Sequence, residues 1–201
     1  VVIVALAVGL ALLIQAFLIK PYQIPSQSME PTLDVGQRVL VNRFIYHFKD
    51  PQIGEIVVFH PPQGAVSGPQ CGAKPTSTGA TDSDPNTFSQ ADQPCPLPID
   101  KEADTNFIKR IVAGPGDTLK IENGHPVVNG VKAKEDFIRP CGAGGACNLR
   151  QEITIPPDHY FMMGDNRGSS DDSRYWGPVP RDWIIGEAFF TYWPPDRIGI
   201  L

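Results

Sequence analysis

Thr118-Leu119-Lys120-Ile121-Glu122-Asn123-Gly124-His125-Pro126-Val127-Val128-Asn129-Gly130-Val131-Lys132 sets two Asn-Gly pairs between short runs of apolar residues. Asn-Gly suits a two-residue hairpin turn whose central residues both take positive φ. Glycine has no Cβ to clash there, and asparagine tolerates the left-handed region. Residues 118–135 are therefore expected to form a small antiparallel ladder. Outward from it, further apolar runs fall at 38–44, 55–59, 106–113, 152–155, 160–163 and 184–193. They are rich in Val, Ile, Phe and Tyr, and Gly, Pro, Asn or Asp separate them, as expected of short strands joined by turns. With 21 Pro, 19 Gly and only 19% charged residues, the composition favours many turns over long solvated helices. The chain reads as an all-β body, an antiparallel β-sheet core of residues 20–60, 106–117 and 156–201 with a smaller β lobe inserted at 118–155. Its 201 residues suffice for one core plus such a lobe.

Residues 1–19 are the exception, with no charge and one polar residue, Gln15. As a helix they would span about 28 Å, close to the thickness of a bilayer's hydrocarbon layer. A buried core helix and a cleavable export signal are the competing readings. A signal's apolar stretch is shorter and runs into a small-residue cleavage site, whereas this one ends in Lys20-Pro21-Tyr22. One N-terminal transmembrane anchor is the expectation. The chain does not open on Met, so further residues are expected before Val1, and the orientation rule for flanking charges is not applied.

Residues 61–105 form a Pro/Gly-rich insertion whose 61–98 part has almost no large apolar side chain, and it is expected to run over the surface. Four cysteines, Cys71, Cys95, Cys141 and Cys147, follow an export-type anchor, which favours disulfides in an oxidising compartment over buried thiols. Three pairings are open. The two local ones are favoured, since residues 141–147 make a flexible, easily closed loop. No metal-ligand spacing occurs, no cofactor is expected, and the four histidines are scattered. A formal charge of -5 argues against nucleic-acid binding.

Three segments carry chemistry. In Ile24-Pro25-Ser26-Gln27-Ser28-Met29-Glu30-Pro31-Thr32-Leu33, two prolines stiffen the backbone around two serines. In Phe107-Ile108-Lys109-Arg110-Ile111-Val112, strand alternation puts Lys109 on the face of Phe107 and Ile111. An apolar setting disfavours the charged amine, and a neutral amine can take a hydroxyl proton. A lysine with its head in water is the plainer alternative. In Gly164-Asp165-Asn166-Arg167-Gly168-Ser169-Ser170-Asp171-Asp172-Ser173-Arg174, short polar side chains crowd together behind an apolar run. There Ser170 is placed to hydrogen-bond the amine, and Asp172 with Arg174 to lock the loop as an ion pair.

Together, I-P-S-x-S-M-x-P-T-L, G-E-I-V-V-F (54–59), F-I-K-R-I-V-x-G-P-G-D (107–117) and G-D-N-R-x-x-S-x-D-S-R (164–174) resemble the ordered sequence boxes of bacterial type I signal peptidases, with an actinobacterial cast. The likeness runs from about Tyr22 to Trp193. It implies a membrane-bound serine endopeptidase with a Ser-Lys dyad that removes signal peptides from exported preproteins. Ser28 would be the nucleophile and Lys109 the general base. The Ser28 N–H and the Ser26 hydroxyl would form the oxyanion hole. Ser170 would orient Lys109, and Asp165, Arg167, Asp172 and Arg174 would maintain the site. Ile24, Pro25, Met29, Leu33 and Ile108 would line shallow pockets for small side chains. The resemblance also implies a monomer in contact with membrane lipid, its catalytic domain on the extracytoplasmic side of the plasma membrane.

The chain departs from the family pattern in places. Gln27 stands where Gly is common, Glu55 where Asp is common, and Gly168-Ser169 where an acidic-Asn pair is common. Gly168 is expected to loosen the third box. Two other readings compete: a repressor-type self-cleaving Ser/Lys protease, for which no DNA-binding helical module is visible, and a non-catalytic, membrane-anchored binding domain. Ser28 lies eight residues past Lys20, at most about 27 Å along the chain, so the site is expected to face the bilayer surface.

Overall fold

The computed structural model describes residues 2–4, 6, 9, 18–66, 68, 70–72, 92–142 and 146–201. Among the described residues the strands are, in chain order, β1 (Ile19–Gln23), β2 (Arg38–Asn42), β3 (Ile56–Phe59), β4 (Phe107–Ala113), β5 (Thr118–Glu122), β6 (His125–Val128), β7 (Val131–Lys132), β8 (Leu149–Thr154), β9 (His159–Met163), β10 (Val179–Pro180), β11 (Ile184–Trp193) and β12 (Gly199–Ile200). A single helical turn, Ser173–Trp176, stands between β9 and β10.

The Asn-Gly pairs act as expected. Asn123 and Gly124 take φ of 53° and 78°, and Asn129 and Gly130 take 50° and 78°. Each joins neighbouring antiparallel strands through a two-residue turn, with Glu122 opposite His125 and Val128 opposite Val131. The resulting sheet has the order β7-β6-β5-β8. The larger sheet runs β1-β2-β11-β3-β4-β9-β10, with β12 paired to β11. Every pairing between these strands is antiparallel.

β3 explains why its sequence lacks alternation. All four residues are buried. Ile56 and Val58 pack with Ile24, Met29, Leu33, Val39 and Val41 on one side, while Val57 and Phe59 pack with Ile111, Tyr160 and Trp176 on the other. A strand covered on both faces needs an unbroken apolar run. A third cluster welds the two sheets: Leu119, Ile121, Leu149 and Ile153 of the small one meet Val112, Ala113, Phe161 and Met163 of the large one. A register shift between Ile111 and Ala113 breaks the β4–β9 ladder beside that junction.

The N-terminal expectation changes at its boundary. Ile19 is not part of an anchor but the first residue of β1, paired with Asn42, and Pro21 is tolerated because β1 is an edge strand. Among the described residues no helix is long and apolar enough to cross a membrane. Residues 1, 5, 7–8 and 10–17 lie outside the described ones, and the expected anchor falls largely on them. The middle of the Pro/Gly-rich insertion, 73–91, also lies outside. Its described base is tied down: Cys71 is bonded to Cys95, Gly72 N–H donates to Leu97 C=O at 2.9 Å, and Cys95 N–H donates to Arg174 C=O at 3.1 Å. Closing that loop contributes on the order of 3 kcal/mol in the loop-entropy account. The second bond joins Cys141 and Cys147.

Candidate active site

Ser28 sits in a 3₁₀ turn, Gln27–Met29, between β1 and β2. Asn166 clamps that turn, its N–H donating to Ser28 C=O at 3.0 Å and its Nδ2 to Gln27 C=O at 3.1 Å. Lys109 reaches the same point from β4. Its Nζ donates to Ser28 Oγ at 2.6 Å, and the two side chains are almost wholly buried, Lys109 4% exposed and Ser28 7%. The exposed Ser26 donates its hydroxyl to Ser28 Oγ at 3.3 Å. Burial pushes the Lys109 ammonium down to about 8, against the opposite pull of the Asp172 and Asp171 carboxylates. Water exclusion is thus the dominant influence on the amine.

These groups open into a cavity of about 590 Å³ whose walls include Tyr22, Ile24, Pro25, Val58, Phe107 and Ile108. The ladder between β9 and β4 begins only at Arg110, so Phe107 and Ile108 keep that strand edge free beside the cavity. Met29 and Leu33, expected to line it, do not. Both are wholly buried in the core, because the 3₁₀ turn directs Met29 inward and Leu33 N–H donates to Met29 C=O.

Residues 164–174 surround the dyad with buried ion pairs. Asp172 and Arg174 are both fully buried and joined twice, at 2.7 and 2.9 Å. Burial alone would raise the Asp172 carboxyl, but the Arg174 guanidinium outweighs it and holds the group below the usual carboxylate range. Asp172 also accepts the Gly164 N–H at 3.0 Å. Arg174 caps the carbonyls of Arg167, Ser170 and Ala146. Gly164 is squeezed: a Cβ there would stand 2.3 Å from Ser170 Oγ and 2.4 Å from Ser28 O.

Ser170 departs from expectation. Its buried hydroxyl makes no hydrogen bond to the Lys109 amine; it packs over Gly164, and the group it acts on is the Asp172 carboxylate, whose pKa it helps to lower. Several supporting residues have no visible sequence signal. Asp165 is held by Arg110 through two bonds, 2.9 and 2.7 Å, and by Thr32 Oγ1 at 2.5 Å. Alternation puts Arg110 on the face away from Lys109, but only the fold supplies its partner. Arg167 is paired through both terminal nitrogens, at 2.7 Å each, with Glu135 of the stretch that follows β7. Glu135 lies in a charged run of no evident pattern, Lys134-Glu135-Asp136. Among the described residues no group of three or more His, Cys, Asp or Glu is placed to hold a metal ion.

Two buried carboxylate–guanidinium pairs thus surround a lysine–serine hydrogen bond. A profile described as "Signal peptidase, peptidase S26" matches residues 1–193. The chain belongs to the S26 signal peptidase family. It is similar to "Probable signal peptidase I-1" of Synechocystis, 37% identical over 97% of this chain and 82% of that one. It is also similar to "Probable signal peptidase I-2" of the same organism, 34% identical over 97% and 72%. "Signal peptidase I" of Leptolyngbya laminosa is 34% identical over 98% and 80%. All three relatives are cyanobacterial and lend no support to an actinobacterial cast.

In this signal peptidase the Glu135–Arg167 pair couples the small sheet's segment to the loop that clamps Ser28, since Arg167 Nε also donates to Gly164 C=O at 3.0 Å. Glu135→Gln leaves a buried guanidinium without its counter-charge. We expect about 3 kcal/mol of lost stability, read as a lowered denaturation midpoint with an unchanged slope. Stability equal to that of the wild type would mean that water reaches the pair.

Proposed function

We infer that this chain is a serine endopeptidase that removes signal peptides from exported preproteins, with Ser28 as nucleophile and Lys109 as general base. The observation that carries the assignment of roles is the 2.6 Å contact between a buried amine and a buried hydroxyl at the wall of an open cavity. With the amine neutral, its lone pair takes the Ser28 proton as Oγ attacks the scissile carbonyl. The oxyanion is met by the Ser28 N–H and the Ser26 hydroxyl, which turns from Ser28 toward it. Collapse returns the proton from Lys109 to the departing amine and leaves an acyl-serine. Lys109 then takes a proton from water, the hydroxide attacks the acyl carbon, and the signal peptide leaves as Ser28 regains its hydrogen.

Asp165, Arg167, Asp172 and Arg174 hold the loop against the Ser28 turn, and Ser170 fills the space over Gly164. Ile24, Pro25 and Ile108 form the part of the expected substrate surface that borders the cavity. The chain divides into an anchor ahead of β1, a catalytic core of 19–60, 106–117 and 156–201, an insertion at 61–105, and a lobe at 118–155. It works as a monomer at the plasma membrane, its catalytic part on the extracytoplasmic side in contact with lipid. The apolar run ahead of β1 and the two disulfides support that placement.

Cleavage of a signal-peptide substrate tests the reading. Ser28→Ala is expected to abolish it. Wild-type kcat/KM is expected to rise with pH through a midpoint near 8, because burial lowers the Lys109 pKa to about that value and only the neutral amine accepts a proton. Undiminished activity at pH 5 would sink the assignment of Lys109.

A further inference from the structure

Asp171 stands apart from the other acids of its loop. Asp165 and Asp172 are wholly buried and bound to guanidinium groups, whereas Asp171 is exposed, and none of the ion pairs among the described residues includes it. It lines the same cavity as Ser28 and Lys109. Other polar liners of that cavity are uncharged: Ser169, Ser26, Gln23, Thr105 and Asn106. Among the described residues the cavity therefore has two charged liners, and one of them, Lys109, must be neutral to act as base. In the working state the described liners of the groove then carry one negative charge, that of Asp171.

We propose that Asp171 determines specificity, favouring substrates with a cationic side chain near the scissile bond and disfavouring those with an acidic one there. The inference rests on reading this cavity as the peptidase groove. Because Asp171 is exposed, a substrate cation meets it without losing its water, and solvent keeps the discrimination modest, about tenfold in kcat/KM between a lysine and a glutamate at the best position. The carboxylate also acts on the general base, being among the charges that raise the Lys109 pKa. Its removal accordingly shifts the midpoint of the pH–rate profile downward, a second consequence of the same location.

The test uses the full chain in detergent and peptides spanning one signal-peptide cleavage site. One peptide is neutral; the others carry a single Lys or Glu at each of three positions on either side of the scissile bond. The Lys-to-Glu ratio of kcat/KM within each enzyme variant is the readout, so overall changes in rate cancel. For the wild type we expect a ratio of about ten at one or more positions, falling toward one at about 1 M salt, where charges are screened within about 3 Å. Asp171→Asn should bring the ratio to about one, and Asp171→Lys should invert it. A wild-type ratio of one at every position, or a preference that survives Asp171→Asn, overturns the proposal while leaving the peptidase reading intact. Failure of the wild type to cut any peptide, the neutral one included, overturns both.

Discussion

Lys109→Met is expected to lose signal-peptide cleavage by a factor of about 10⁴ while the protein stays folded. The amine is the partner of Ser28 Oγ at 2.6 Å, and Met fills a similar volume in the apolar wall without offering a base. Burial already disfavours the charged amine, so replacing it with an apolar side chain is expected to leave thermal stability unchanged or raised. Lys109→Arg separates charge from basicity. It keeps a cation near the hydroxyl, yet a guanidinium does not give up its proton in a protein and cannot take one from serine. It is therefore expected to be as inactive as Lys109→Met. The measurement is kcat/KM across pH 6 to 10 for the three enzymes, with circular dichroism to establish folding. Substantial turnover by Lys109→Arg would mean that some other group removes the Ser28 proton.

Gly164→Ala is expected to lower kcat by about 100-fold with little change in KM. The new methyl would stand 2.4 Å from the Ser28 carbonyl oxygen and 2.3 Å from Ser170 Oγ. Ser170 can rotate away, but the Ser28 oxygen is backbone and is held by the Asn166 N–H at 3.0 Å. Relief of the clash must therefore move the Ser28 turn relative to Lys109, and a misplacement of about 1 Å costs rate on this scale. A stability loss of about 1–3 kcal/mol should accompany it. Gly168→Ala is the control, since a Cβ there meets nothing closer than 3.6 Å and the position is exposed. If Gly164→Ala retains wild-type kcat, the loop yields without disturbing Ser28, and the close packing is incidental to catalysis.

The strands were largely legible because their signals are local. Runs at 38–44, 55–59, 106–113, 160–163 and 184–193 became β2, β3, β4, β9 and β11, with ends differing by one or two residues. β1 was not visible, since Ile19-Lys20-Pro21 reads as the end of an apolar helix and only pairing with β2 makes it a strand. The Ser28–Lys109 contact was legible for a different reason. Ser28 and Lys109 lie 81 residues apart, and their meeting was suggested by the ordered boxes rather than by either residue's surroundings. Assignment of the liners was mixed. Ile24, Pro25 and Ile108 border the cavity, but Met29 and Leu33 share their apolar character and turn into the core. Hydrophobicity alone does not say which wall a side chain faces.

Alternation along β4, the turn chemistry of Asn123-Gly124 and Asn129-Gly130, and the stiff serine segment between prolines all arise within a few residues, and the sequence by itself determined them. The partners of the buried charges were another matter: Arg110 for Asp165, Glu135 for Arg167, and the exposure of Asp171 while Asp172 is sealed in. Each depends on which distant backbone carries an opposite charge to within about 3 Å, or covers a side chain from water. Such contacts span up to tens of residues, so only the tertiary structure decided them.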